Sequence, residues 1–195
     1  SFKKDSTFGL LLAAQKRGWE LMYMEPDSLS MSQNEPKANM RSLTVWEDPN
    51  HWFALGTSEY KPLTECSAIV MRQDPPVNTA YLHTTQILEK AHQREVLIVN
   101  RPQSLRDYNE KLLALEFPQY CPPTLVTQSI EQAREFLISH QDIIVKPLDG
   151  MGGQGIFRLR ASDTNQGVVF ETLRQREERY FLLQQYIPEI QEGDK

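Results

Sequence analysis

The chain has 195 residues, 39% hydrophobic and 24% charged, an ordinary globular composition that allows one large domain or two modest ones. Its net charge of −5 argues against a general binder of nucleic acid or of anionic membrane, so an anion site has to be a local basic pocket. The two cysteines, Cys66 and Cys121, give neither a disulfide framework nor zinc spacing, and no apolar run reaches membrane-span length, which makes cytoplasm the expected compartment.

Asp5 or Ser6 can cap a helix running to about Arg17, with Phe8, Leu11 and Leu12 on one face and Gly18 as its stop. Lys3 and Lys4 before this apolar stretch resemble a secretory signal in outline. Asp5 interrupts that pattern and the run is short, which favours an amphipathic helix. Residues 19–24 read as a strand. Residues 29–45 are mixed, with a turn near 34–36 and a strand over 41–46. Residues 47–64 show no usable period. Two short apolar runs, 67–71 and 96–99, read as buried strands on either side of a helix over 79–91. Strand and helix alternating with short links predict parallel pairing and an open α/β sheet. Ligands of such sheets gather beyond the C-terminal strand ends, where Arg72, Asp74 and Asn100 lie.

Pro102 can start a helix that continues to about Glu116 and carries Asn109, Glu110 and Lys111. Pro118, Pro122 and Pro123 then break the chain, so a domain boundary is expected between about Asn100 and Pro123. The second half reads as strand 124–127, helix 130–139, strand 142–146, a glycine loop, strand 156–160, helix 167–174 and strand 180–186. Both ends look cut. The chain lacks an initiator Met and closes on Glu192-Gly193-Asp194-Lys195 just after a strand, as a piece of a longer protein would.

Four of the nine glycines fall at Gly150, Gly152, Gly153 and Gly155, interleaved with Met151 and Gln154. Packed glycines let backbone N–H groups approach an anion, and Lys146 just before them adds a positive charge. A phosphate chain is the simplest ligand for that pairing. The same six residues fit G-x-G-x-x-G, but the dinucleotide motif needs a helix after the loop. Here Phe157 and Leu159 alternate with Arg158 and Arg160, which is strand period. Ile156 also stands where a P-loop needs lysine. What remains is a strand–loop–strand hairpin able to fold over phosphates, as the kinase glycine loop does, although the kinase lysine follows its loop and this one precedes it.

Each feature has a plainer reading. The loop could be an ordinary glycine turn, Lys111 a solvated helix lysine, and the segment Gln184, Gln185, Tyr186, Ile187 an ordinary strand end. Against the first, a lysine ending a buried strand is costly without an anionic partner. Trp19, Trp46 and Trp52 are expected in the core. His51, His83, His92 and His140 show no metal spacing, and Cys121 between prolines is expected to pack.

Taken together, these features resemble the ATP-grasp superfamily, and within it the bacterial glutathione synthetase family. The resemblance rests on Met71-Arg72-Gln73-Asp74-Pro75-Pro76, Pro102-Gln103-Ser104-Leu105-Arg106-Asp107, Asn109-Glu110-Lys111-Leu112, Lys146-Pro147-Leu148-Asp149-Gly150-Met151-Gly152-Gly153 and Gly193-Asp194-Lys195, in the family's order from end to end. It implies an α/β chain: an N-terminal open parallel-sheet (pre-ATP-grasp) domain over 1–108, an α+β ATP-grasp lid over 109–185, and at 186–195 a hinge that begins a truncated C-terminal subdomain. It implies ATP-dependent joining of γ-glutamylcysteine to glycine through an acyl phosphate, with magnesium or manganese at the phosphates. It further implies that Lys111 and Lys146 are ATP lysines and that Gly150, Met151, Gly152, Gly153, Gln154 and Gly155 form a mobile phosphate flap. By the same resemblance Gln184, Gln185, Tyr186 and Ile187 form the adenine hinge, Asp194 lies near the nucleotide, and Arg72 holds the dipeptide. The family's first strand, its magnesium carboxylates and its acyl-phosphate arginines have no counterpart in these residues. The chain alone is therefore expected to be inactive, with no catalytic residue or metal ligand of its own. The resemblance also implies a homo-oligomer, commonly a tetramer. Two other readings stand beside it: another ATP-grasp carboxylate–amine ligase, such as a peptide-tailoring glutamate ligase, and a dinucleotide-binding oxidoreductase, which needs a helix from Ile156.

Overall fold

The computed structural model describes residues 4–174 and 179–193. It divides into two compact units. The first holds residues 1–74 and 79–106, the second residues 75–78 and 107–195.

The first unit opens with α1 (Ser6–Lys16), whose first turn is capped by the Asp5 carboxylate accepting from the Phe8 N–H at 2.9 Å. Strand β1 (Met22–Tyr23) is the short remnant of the predicted 19–24 strand. Strands β2 (Leu29–Ser32) and β3 (Glu35–Val45) are joined by Gln33 and Asn34, both at positive φ. Two consecutive positive φ values are what a tight right-twisted hairpin turn requires, and Asn tolerates them. The turn therefore sits one residue before its expected place, and Pro36 enters the strand instead. Strand β4 (Phe53–Pro62) pairs antiparallel with β3 along nearly its full length. This hairpin is absent from the sequence reading because β4 is half-exposed or exposed throughout, so it has no apolar alternation. Its order comes from pairing with β3.

Strand β5 (Ala68–Val70), α2 (Thr79–His92) and β6 (Leu97–Val99) form the expected strand–helix–strand unit, with β5 and β6 parallel. Helix α2 buries Tyr81, Thr84, Thr85, Leu88 and Ala91, one face at helical spacing. Ile69 and Ile98 join Leu88, Ala91, Ala38, Met40 and Leu63 in the first core. Parallel pairing thus accounts for β5 and β6, while β1 to β4 form an antiparallel sheet. Strands β5 and β6 are not buried on both faces as expected, since Leu97 is 58% exposed and Val70 50%. A sheet backed by a helix on one face only is covered on that face.

Helix α3 (Pro102–Asp107) closes the first unit, all but its last residue lying there, and α4 (Glu110–Leu113) follows in the second. The predicted single helix is split at Tyr108-Asn109 because the Asn109 carboxamide caps a new one, accepting from the Lys111 N–H at 3.0 Å. Strands β7 (Thr124–Thr127), β8 (Asp142–Pro147), β9 (Phe157–Arg160) and β10 (Phe181–Gln185) make a four-stranded antiparallel sheet in the order β7-β10-β8-β9. Helices α5 (Ile130–His140) and α6 (Gln166–Arg174) pack on one face. That face supplies Ile143, Val145, Leu159, Phe181 and Leu183 to a core shared with Ala133, Leu137, Phe170 and Leu173. By the two-residue alternation of strands, Thr124, Ile144, Lys146, Arg158 and Gln184 stand on the opposite face.

Residue 156 opens no helix. It leads into β9, which pairs with β8, so the glycine loop is the bend of a β-hairpin. This removes the dinucleotide-binding oxidoreductase reading, whose phosphate site needs a helix N-terminus there. The tryptophans are also placed otherwise than expected. Trp19 is 64% exposed, and Trp46 and Trp52 lie partly exposed near the β3–β4 turn, against His51 and Phe53 respectively.

Candidate nucleotide-phosphate site

Lys146 lies near the end of β8, beside Leu182 of β10. Its Nζ donates to Gln184 Oε1 at 3.3 Å. Among the described residues no carboxylate comes within ion-pair distance of it. Burial, and then the charge of Lys111, hold its pKa below the usual lysine value, while Cys121 and Glu110 oppose that shift. Among the described residues this half-buried ammonium has only an amide to lean on, which leaves it electrostatically unfinished.

Lys111 is the second charge of the site. Its Nζ donates to Glu110 Oε1 at 2.6 Å, to the Gly150 carbonyl at 3.0 Å and to the Leu148 carbonyl at 3.1 Å. Only 15% of its side chain is exposed, so it is not a solvated surface lysine. The Asn109 carboxamide donates to the same Leu148 carbonyl at 3.0 Å. One turn of α4 therefore grips the entry of the glycine loop. Asp149 pairs with Arg179 at 3.2 Å on its other side.

Within the loop, Gly152, Gly153 and Gly155 adopt φ of 63°, 79° and 70°, the left-handed region that glycine enters without strain. Gly150 is required for another reason, since a Cβ there would stand 2.9 Å from the Pro147 ring. The positions beside Gly152 and Gly153 are open, and Met151 is exposed. The Gln154 N–H turns back onto the Met151 carbonyl at 3.2 Å.

The predicted hinge divides into two parts. Gln184 takes part through its side chain, on the Lys146 face. The Gln185 and Tyr186 N–H groups donate to the Pro123 and Asp142 carbonyls, at 2.9 and 3.0 Å. The Tyr186 ring is covered by the Arg158 guanidinium, 3.5 Å from its centroid. Arg158 is itself held by both carboxylate oxygens of Asp142, at 2.9 and 2.7 Å, and this keeps the Asp142 pKa below the usual carboxylate range. Ile187 follows, partly exposed.

Lys111, Lys146, the glycine loop and Gln184 to Ile187 all belong to the second unit. Arg72 belongs to the first, where its Nε and Nη2 donate to Thr7 Oγ1 at 2.9 Å and Ser6 Oγ at 3.2 Å, at the start of α1. Asp194 lies outside the described residues. Sequence reasoning missed Thr124, Asp142 and Arg158. Asn109 carried a legible signal, a capping residue before Glu and Lys. The other three are joined to the site only by cross-strand pairing.

Residues 1–106 match the family model described as prokaryotic glutathione synthetase, N-terminal domain, and residues 110–195 match prokaryotic glutathione synthetase, ATP-grasp domain. Glutathione synthetases of Shewanella oneidensis and Pseudomonas putida are each 49% identical over all 195 residues of this chain. The chain spans 62% of the length of those relatives. Among solved structures, D-alanyl-alanine synthetase A from Vibrio cholerae superposes with a TM-score of 0.55 at 12% identity, covering 94% of this chain and 56% of that one. The ATP-grasp ligase PsnB complexed with its minimal precursor superposes with a TM-score of 0.51 at 13% identity, covering 96% and 61%. At such identities these two structures speak for the ATP-grasp fold alone. Family models that together take in nearly every residue, and near-half identity from end to end, lead to one conclusion: this chain belongs to the prokaryotic glutathione synthetase family.

Proposed function

We propose that these residues form the nucleotide-phosphate wall of an enzyme that joins γ-glutamylcysteine to glycine at the expense of ATP. The observation that carries the reading is Lys146, a half-buried ammonium that feels the charge of Lys111 and has no carboxylate partner among the described residues. A polyphosphate is the ligand that would complete it. On this reading Lys111 and Lys146 take phosphate oxygens, and the backbone N–H groups of Gly150, Met151, Gly152, Gly153, Gln154 and Gly155 close over them. The nucleobase edge meets Ile187 and the strand-end carbonyls, since the Gln185 and Tyr186 N–H groups are already engaged.

The chemistry follows from what two anions need. The γ-phosphoryl group passes to the cysteinyl carboxylate of the dipeptide, giving an acyl phosphate and ADP. The glycine amine attacks that carbonyl and phosphate leaves, forming the amide. Carboxylate and triphosphate repel each other, so cations must gather both. Magnesium or manganese would neutralise part of the phosphate charge. No three His, Cys, Asp or Glu side chains converge among the described residues, and no metal ligand is assigned to this chain. Arg72 is the proposed holder of the dipeptide, and Asp194 a further residue near the nucleotide.

Domain assignments follow the same reading: 1–108 as pre-ATP-grasp domain, 109–185 as lid, and 186–195 as hinge. The two matched regions support a boundary between residues 106 and 110. A cytoplasmic homo-oligomer is the proposed setting. Among the described residues no helix is long and apolar enough to cross a membrane.

The test uses a polypeptide of the relatives' full length that carries these residues. ADP release should require γ-glutamylcysteine and glycine together. Turnover that prefers a glutamate acceptor would point instead to a peptide-tailoring member of the same superfamily. The 195-residue chain assayed alone is expected to bind ATP without ligating, and glutathione formation by it would contradict that.

A further inference from the structure

Thr124 opens β7 and lies directly across from Gln184 on β10. Gln184 is in turn across from Ile144 of β8, with Lys146 two residues further along the same face. The Thr124 hydroxyl has one hydrogen, and it donates it to the Pro122 carbonyl at 2.7 Å. The oxygen can then only accept, and it does so from Gln184 Nε2 at 3.1 Å. A carboxamide that donates through nitrogen on one side presents its oxygen on the other. That oxygen receives the Lys146 ammonium at 3.3 Å. The polarity of the chain is fixed at its far end, because Pro122 and Pro123 have restricted backbones and offer no N–H that could compete.

We propose that Thr124 is a positioning residue for Lys146, acting through the orientation of the Gln184 carboxamide. The proposal rests on the reading of Lys146 as a phosphate-binding lysine. Among the described residues Lys146 has no carboxylate partner, and Lys111 repels it, so the Gln184 oxygen decides where its Nζ sits when no nucleotide is bound. Without the Thr124 hydroxyl the amide is free to turn its NH2 toward the ammonium, setting donor against donor.

The test compares Thr124→Val, which keeps the shape and removes the hydroxyl, with Thr124→Ser, which keeps the hydroxyl. Lys146 is titrated by NMR of its labelled Cε in the nucleotide-free chain, its resonance assigned by its loss in Lys146→Arg. The midpoint is expected to fall by about half a unit of pH in Thr124→Val, as loss of one modest hydrogen bond implies. ATP affinity measured by calorimetry should fall about threefold to tenfold, and serine should restore both readouts. An unmoved midpoint in the valine variant overturns the proposal, as does a serine variant that shifts as far as valine. If the valine variant does not fold, Thr124→Ala, which also removes the hydroxyl, carries the same test by the same criteria. A midpoint that moves while ATP binds equally to the wild-type chain, Thr124→Val and Lys146→Met leaves the positioning role standing and sinks the phosphate reading.

Discussion

Lys111 Nζ donates to the Gly150 carbonyl at 3.0 Å, so a helix residue holds the entry of the glycine loop from outside the hairpin that forms it. The same ammonium is proposed to meet phosphate. It thus has two competing sets of acceptors, loop carbonyls and nucleotide.

Lys111→Met should release the loop. Amide hydrogen exchange across residues 148–155 is expected to quicken in the variant without nucleotide, while exchange in β7 and β10 stays as in the wild type. The variant should also lose most of the thermal stabilisation that ATP gives the parent chain. Unchanged exchange at 148–155 would show that Lys111 does not hold the loop.

Lys146 gives a pH dependence with a definite sign. Its folded pKa is depressed, mainly by burial, so between that value and the unfolded one the unfolded chain holds more protons. Stability therefore rises with pH through that alkaline window, and the full penalty applies below it. Lys146→Met should melt no lower than the parent at neutral pH without nucleotide, and should flatten the alkaline rise. Bound phosphate would raise the lysine's pKa. ATP binding on the alkaline side is accordingly expected to take up protons, measurable as calorimetric heats that vary with the buffer's ionisation enthalpy.

The Asp142–Arg158 pair anchors the strand exit that leads to the proposed nucleobase site. Asp142 takes the Tyr186 N–H on its carbonyl and Arg158 on its carboxylate, and Arg158 covers the Tyr186 ring. Because its pKa is depressed, Asp142 contributes its stabilisation in full above the usual aspartate range and loses it as pH falls through the folded value. Asp142→Asn should remove that acid-side dependence and weaken ATP binding, while the cooperativity of melting stays as in the parent chain. Equal acid midpoints in the two proteins would rule the pair out as a pH-sensitive anchor.

Phe181 is fully buried and stacks on Phe170 of α6, with ring centroids 6.0 Å apart. It occupies the core face of β10, between the neighbours Thr127 and Pro147. Phe181→Ala should cost about 3–5 kcal/mol in chemical denaturation, the range for large-to-small changes in a packed core. A loss below about 1 kcal/mol would mean that the core had closed over the cavity.

Much of the second unit was legible residue by residue. Strand 124–127, helix 130–139, the glycine hairpin and helix 167–174 each lie within a residue or so of their observed bounds, because short loops and clear periods marked them. The first unit was less legible. Strand β4 has no apolar alternation, since its order is supplied by a partner strand and not by burial of one face. Trp46 and Trp52 read as core by residue type, yet they sit near a hairpin turn and stay partly exposed, although Phe8 of α1 meets Trp52 edge-on.

By itself the sequence determined the glycine-dense loop, the lysine before it and the strand period after it, because those depend on neighbours a few residues apart. It also determined the family, through motifs spread in order along the chain. Only the tertiary structure decided that Lys111, 35 positions before Lys146, grips the loop, that the Gln184 side chain faces Lys146, and that Thr124 fixes the polarity of that contact. The physical reason is register. Which residues of separate strands share a face, and which way an amide points between them, depends on hydrogen bonds across the sheet, and no local pattern along one strand records them.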